Sequence, residues 1–423
     1  MHQYYVPFTK EMKDQGYTIL TPNMLPMHFK LIKAILETYG WNMEILDSDG
    51  PEVAETGLKY VHNDTCYPAI LFIGQLMQAL QSGKYDPNKV AMIQFQTGGG
   101  CRASNYISLL RKALQKAGHG NVPVIAFGIA GLERHPGFQL SLPCWHSLIY
   151  AVLYGDLLMT LVNQCRTYEK EKGASQALAD KWVRKLAKEM GKGGKVSYKR
   201  VKRNYRTILE EFANIPLEKK PAVKVGIVGE IFVKYSPLGN NRLEEFLVGE
   251  GAEVVVPGLL DFCLYCVYNN VLDHELLGRG KRLTYEIYKW VYGFLCKKKN
   301  EMSAIIQEHG VFDAPTPFEH TIELGKDYIH LGAKMGEGWL LTSEMLELAE
   351  SGVKNIVCTQ PFGCLPNHIC GKGMMKPIKE RNLDVNIVAI DYDAGATKVN
   401  QENRLKLMLA NARERAERSV QYA

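Results

Sequence analysis

The chain has 423 residues, of which 46% are hydrophobic, 23% charged and 10% aromatic, the make-up of an ordinary globular protein. That excludes intrinsic disorder, a collagen-like repeat and a disulfide-stapled miniprotein, and the length predicts two or three domains with their own apolar cores. The formal charge is +6, yet residues 166–220 alone carry 16 basic against 7 acidic side chains, so the rest of the chain is slightly acidic. In that segment the charges interleave with Leu, Ala, Trp182 and Tyr at helical spacing. A solvated helix face is expected there, and no nucleic-acid partner.

Residues Met1 to Lys13 contain no apolar run of the kind that opens a cleavable signal peptide. The longest charge-free stretch, Pro136 to Gly155, includes Pro143 and His146 and predicts a buried helix, with no membrane span. Without an export signal the ten cysteines are expected as thiols in a cytoplasmic protein.

In chain order, strands are predicted over Tyr17–Leu20, Met43–Leu46, Val90–Phe95 and Val122–Phe127, with helices over His28–Tyr39, Pro68–Gln81 and Ala103–Ala117 between them. From about Leu140 to Phe212 the strands vanish and Leu, Ala, Tyr and Lys recur at helical spacing, broken at Gly191, Gly193 and Gly194. A strand then follows over Val223–Val228, a helix over Arg242–Val248, a strand over Glu253–Val256 and helical sequence over Leu259–His309. The last unit alternates helix Glu337–Glu350, strand Asn355–Val357, helix Met374–Arg381, strand Asn386–Ile390 and helix Gln401–Arg415. The expected fold class is α/β: two Rossmann-like lobes with mostly parallel sheets plus a helical module. The divisions are 1–140 for the first lobe, 141–213 for the module, 214–222 for a linker and 223–423 for the second lobe with a helical insertion.

Three cysteine-bearing turns lie where a strand ends or a helix begins, which is where parallel sheets place ligands. In Asn63-Asp64-Thr65-Cys66-Tyr67-Pro68-Ala69, Pro68 suits a first helical turn, so Cys66 points its sulfur at a helix N-terminus that favours a thiolate. Gln96 to Tyr106 carries Gly98, Gly99 and Gly100 before Cys101 and Arg102. Its glycines bring main-chain N–H groups close to something anionic, but the Lys-Ser/Thr pair of a P-loop is missing. The sulfurs of an iron-sulfur cluster accept the same hydrogen bonds. In Cys358 to Gly371, two prolines and two glycines hold Cys364 in an open loop, with Cys358 and Cys370 flanking it. Cys358 also reads as the end of a buried strand.

Free cysteine usually packs as a small hydrophobe. Cys144, Cys165, Cys263, Cys266 and Cys296 sit in helical apolar sequence and are read that way, the lone Cys263-Leu264-Tyr265-Cys266 pair lacking the partners of a zinc site. Cys66, Cys101 and Cys364 are read as ligands, able to hold three corners of a 4Fe-4S cubane and leave the fourth iron open. Gly226-Ile227-Val228-Gly229 lacks the spacing of a dinucleotide fingerprint. Glu319 and His320 are read as a surface loop.

Four motifs in fixed order carry a resemblance: Lys59 to Ala69, Gly98-Gly99-Gly100-Cys101-Arg102, Val228-Gly229-Glu230-Ile231-Phe232-Val233, and Gln360 to His368. Over about residues 16–406 the chain resembles the 2-hydroxyacyl-CoA dehydratase superfamily, nearest to the C-terminal portion of its large CoA-substrate-specific activases and to the double-cubane cluster proteins. The resemblance implies a cysteine-held iron-sulfur cluster between two Rossmann-like lobes. The cluster would be 4Fe-4S, or an 8Fe-9S double cubane that Cys358, Cys370 and Cys144, or a sister subunit, would complete. It implies low-potential electrons delivered by an ATP-hydrolysing iron-sulfur activator, here expected as a separate protein because no phosphate-binding signature appears. The expected roles are Cys66, Cys101 and Cys364 as ligands, with the Gly98 to Gly100 amides stabilising cluster charge and Arg102 and His368 as nearby donors. The expected function is the iron-sulfur subunit of an ATP-coupled reductase or dehydratase, with a sister subunit or a homodimer as further partner. The alternative is a non-catalytic scaffold or activator component with a structural or degenerate cluster.

Overall fold

The structure, a computed structural model, describes residues 5–95, 100–127 and 133–421. Eight strands among them form two sheets. β1 (Thr18–Pro22), β2 (Asn42–Leu46), β3 (Val90–Phe95) and β4 (Val124–Phe127) lie in the order β2-β1-β3-β4. β5 (Lys224–Gly229), β6 (Glu253–Val255), β7 (Asn355–Pro361) and β8 (Asn386–Tyr392) repeat that order as β6-β5-β7-β8. Every pairing is parallel: Thr18 lies opposite both Asn42 and Val90, and Val228 opposite Cys358. Parallel strands require crossovers, which cover both faces with helices, so β3, β5 and β7 read as nearly continuous buried runs. The molecule is thus α/β, two Rossmann-like lobes with helices around them.

In each sheet the strand order reverses beside the first strand, and the crevice at the carboxyl ends of the strands there is the usual ligand position of open α/β sheets. Cys101 follows β3 and Cys364 follows β7, so the two thiols leave topologically equivalent strands of the two lobes. The lobes share one apolar core. Met24, Leu25, Phe72 and Tyr106 of the first belong to the same buried cluster as Val225, Phe232 and Val357 of the second, and the Phe72 and Phe232 rings lie 4.3 Å apart.

All eight predicted strands are present, several with shifted ends, and β7 runs four residues beyond the predicted Val357. The helix expected from Ala103 begins as a 3-10 turn, Arg102–Asn105, before Tyr106–Lys116. The helix expected from Glu337 starts at Trp339, because Gly338 has φ +46° and ψ −130°, outside helical geometry. Helices Lys10–Asp14, Pro51–Tyr60 and Phe318–Lys326 are not among the predicted elements, and the last corrects the surface-loop reading of Glu319 and His320, which lie exposed in its first turn.

The helical module consists of Leu142–Cys165, Ala174–Met190 and Tyr198–Ala213. Leu142–Cys165 is the one helix among the described residues long and apolar enough to cross a membrane, and 78% of its most apolar window is buried inside the protein. The last helix of the module buries Val201, Tyr205, Ile208, Leu209 and Phe212 while Lys199, Arg203 and Arg206 face outward. Within 214–222, residues 216–218 pair with the loop that joins the module's first two helices, Lys170 N–H donating to the Pro216 carbonyl at 3.1 Å and Glu218 N–H to the Tyr168 carbonyl at 2.6 Å.

Helix Pro51–Tyr60 packs backbone to backbone on helix Tyr67–Gln81. A Cβ on Gly57 would lie 2.1 Å from the Ile70 carbonyl oxygen, and one on Gly74 would lie 2.0 Å from that of Val53. Only glycine permits this approach, and it fixes where the second helix, with Cys66 at its head, begins. Gly74→Ala is expected to lower the unfolding free energy by about 1–3 kcal/mol through overpacking. Gly249→Ala, whose Cβ would meet nothing within 4 Å, should stay within about 0.5 kcal/mol of the parent. Urea unfolding of the two variants checks both, and equal stability would remove the close helix pair as a constraint.

Candidate functional site

Three turns meet at the seam between the lobes. Cys66 is the residue before helix Tyr67–Gln81, with Pro68 in its first turn. Cys101 heads the 3-10 turn, and Ser104 donates to its carbonyl from both backbone N–H (3.1 Å) and Oγ (2.8 Å). Cys364 precedes a turn in which His368 N–H donates back to its carbonyl at 3.1 Å. All three thiols therefore sit at helix starts, where unpaired backbone amides point outward.

The turns touch. Tyr67 N–H donates across the seam to the Phe362 carbonyl at 3.0 Å, and Gly363, at φ +73°, approaches so closely that a Cβ would lie 3.0 Å from Cys66 Cα. Over Cys101 runs the loop Met335-Gly336-Glu337-Gly338. Gly336, at φ +58°, would place a Cβ 3.6 Å from Cys101 Sγ and 2.9 Å from Pro366 Cγ, and Gly100 N–H donates to Met335 Sδ at 3.1 Å. Phe362, Leu365, Ile369 and Met335 stand exposed around these turns.

Burial dominates the electrostatics. It pushes the Cys101 thiol up to about 11 and raises Cys66 and Cys364 as well, while the amides of Ala69, Ala103 and Asn367 oppose it at the three sulfurs. The same acid, Glu230, acts on all three thiols, and Glu337 acts on Cys101 and Cys364. Cys101 also feels Cys66, and Cys364 feels Cys101. The expectation of exposed, dipole-stabilised thiolates is corrected here. Cys66 and Cys364 are only 4% and 6% exposed, and desolvation outweighs the helix starts.

Glu230 and Glu337 are themselves buried. Glu230 caps helix Ile231–Tyr235 by accepting from Val233 N–H at 2.9 Å, and Glu337 accepts from Ile231 N–H at 3.0 Å. Burial, and for Glu230 the neighbouring Glu337, hold both carboxyls above the usual carboxylate range. Neither acid was assigned a role from sequence. The Gly-Glu-Gly triplet at 336–338 was the available signal, since an acid between two glycines disfavours a helix interior.

The remaining predicted positions divide. Cys358 lies inside β7, opposite Val228 and Ala389, fully buried among Val228, Ile356 and Met345, with Asn367 Oδ1 3.5 Å from its sulfur. Cys370 is buried in the π-turn Asn367–Gly371, with Glu337 the acid that acts on it. Cys144 sits in the first turn of Leu142–Cys165, where Lys13 is the charge it senses. Cys165 and Cys296 are core residues, and Cys266 shares Glu337 with the site. The Arg102 side chain is exposed and donates to the Asp64 carbonyl, and the His368 side chain is exposed. Gly100 lies in its turn, whereas Gly98 and Gly99 fall outside the described residues.

Among the described residues no three His, Cys, Asp or Glu side chains close on one point as the ligands of a single ion would. A cubane sets a different requirement, because each cysteine takes its own iron at its own corner. Sulfur donors from three turns that touch one another fit that chemistry.

The raised carboxyls have a measurable consequence. A group whose folded pKa exceeds its unfolded value favours folding fully below the unfolded pKa, and this contribution is lost as pH rises toward the folded one. The metal-free chain should therefore lose stability between about pH 5 and 8 in part through Glu230. Glu230→Gln keeps the acceptor for Val233 N–H and cannot ionise. Its stability relative to the parent should rise across that range by more than about 1 kcal/mol, and denaturant titrations giving parallel curves would refute the assignment.

No family model matches the chain, and no curated protein matches it significantly.

Proposed function

We propose that the chain is the iron-sulfur subunit of an ATP-coupled, low-potential reductase or 2-hydroxyacyl-CoA dehydratase system of the 2-hydroxyacyl-CoA dehydratase superfamily. It works in the cytoplasm and receives electrons from a separate ATP-hydrolysing activator. One observation carries the reading: the turns headed by Cys66, Cys101 and Cys364, from both lobes, lie against one another, the Tyr67 N–H donating to the Phe362 carbonyl and Gly336 lying close to both Cys101 Sγ and Pro366. The four sequence motifs that prompt the family assignment include all three thiols and the acid Glu230.

Cys66, Cys101 and Cys364 would hold a 4Fe-4S cluster, which supplies low-potential one-electron chemistry and an open iron when bound. The chain's own residues prepare the place. The amides of Ala69, Ala103 and Asn367 offset negative charge on sulfur, and the raised carboxyls of Glu230 and Glu337 avoid adding to it. Gly336 and Gly363 let the covering backbone approach. Of the three cysteines considered for a second cubane, only Cys370 shares an acid with the trio. Cys358 is locked in the sheet and Cys144 senses only Lys13, which favours a single cubane held by this chain.

Anaerobic purification with iron and acid-labile sulfide quantified is the test. Cys66→Ala, Cys101→Ala and Cys364→Ala should each lose most of the bound iron, while Cys296→Ala and Cys358→Ala keep it. Equal iron in all five variants, or none in the parent chain, would defeat the reading. A loaded chain that stays inert with an activator and ATP would leave the scaffold role.

A further inference from the structure

Tyr106 opens the helix that follows the Cys101 turn, yet its hydroxyl reaches a different thiol. The phenol oxygen lies 3.0 Å from Cys66 Sγ, and that sulfur is its hydrogen-bond partner among the described residues. The ring is buried against Phe72, with centroids 6.0 Å apart, in the apolar cluster that joins the lobes. The residue is thus fixed by packing on the helix that Cys66 heads, and its one polar atom is spent on the sulfur. A tyrosine phenol, with an ordinary pKa of about 10, keeps its proton at neutral pH. A coordinated cysteine is a thiolate, which can only accept, so the O–H is the donor.

We propose that Tyr106 is a positioning and tuning residue for the Cys66 ligand: its buried O–H donates to the Cys66 sulfur, fixes the orientation of that corner, and raises the reduction potential of the centre. The inference rests on the reading in the preceding subsection. The physical argument is that a hydrogen bond to a ligating sulfur withdraws electron density and stabilises the more negative, reduced state, and that in a buried site no water replaces a donor once it is removed. Among the described residues Cys66 has a side-chain donor, Tyr106, and Cys101 and Cys364 have none. The three corners are therefore inequivalent.

The experiment is a redox titration and pulsed EPR of the anaerobically loaded full chain in deuterated buffer, comparing the parent with Tyr106→Phe and with Tyr205→Phe. Tyr205 is also a buried phenol, but its hydroxyl has no hydrogen-bond partner among the described residues, and it lies in a different core cluster. Tyr106→Phe should keep its iron, lose one exchangeable deuteron coupled to the cluster spin, and become harder to reduce. A tenfold fall in the reduction constant is about 59 mV for one electron. Tyr205→Phe should match the parent in both. An unchanged potential and unchanged deuteron coupling in Tyr106→Phe would overturn the proposal. Should Tyr106→Phe fail to fold, replacing Tyr106 site-specifically by 3-fluorotyrosine keeps the ring and strengthens the donor; the potential should then rise, and no shift would overturn the proposal. A parent chain without iron and sulfide fails at the loading step, where the broader reading falls first and this inference with it.

Discussion

The seam between the lobes is governed by the cost of taking polar groups out of water. Two thiols, Cys66 and Cys364, and two carboxyls are buried there beside the half-buried Cys101, and burial is the largest influence on every one of them. The cation among the forces on Cys66, Arg102, is exposed and engaged with the Asp64 carbonyl. A buried set of this kind is tolerated when it stays neutral and hydrogen-bonded. The Tyr106 hydroxyl meets that demand at Cys66, the Val233 amide at Glu230 and the Ile231 amide at Glu337. A set of sulfur donors short of positive charge is also one that a cationic metal centre would stabilise, because iron replaces the thiol protons.

The scaffold delivers these groups by repetition. Both sheets have the same strand order, so the turn after β3 and the turn after β7 leave equivalent positions in their lobes, each bearing a cysteine. Cys66 reaches the same place by another route, through the backbone contact of Gly57 and Gly74 that seats its helix. The Tyr67 to Phe362 hydrogen bond then closes one lobe on the other. Rigid elements thus set the position of each thiol, and the loops add only the last few residues.

Much of this was readable in the sequence. Most strands announced themselves as short apolar runs, since strands buried on both faces carry little polar interruption; β2, with Asn42 and Glu44, is the partly exposed exception. The cysteine turns were marked by Pro68, by Gly98 to Gly100 and by the prolines and glycines after Cys358. The helix Pro51–Tyr60 was not readable, for a physical reason: its buried face consists of Val53, Ala54, Thr56 and Gly57, too weakly apolar to signal a period. Its glycine is a poor helix former whose value appears only against Gly74. Tyr106 and Glu337 escaped for a related reason, because what matters about them is a contact across long sequence separation, and only the glycines flanking Glu337 marked either position.

Cys358 and Cys364 show where local sequence stops deciding. Both belong to one cysteine-rich stretch with even spacing, and composition alone treats them alike. β7, however, continues through Pro361, and the ladder sets Cys358 opposite Val228 on one side and Ala389 on the other. Its side chain then lies in the apolar layer between sheet and helix, and turning it toward the seam would require shifting the strand by one residue, which would invert every side chain of β7. Cys364 comes three residues after the last paired residue, beyond a glycine at φ +73°, and is free of the ladder. The difference between a core thiol and a candidate ligand is thus four residues of strand length, a quantity fixed by β5 and β8 pairing with β7 rather than by the stretch itself.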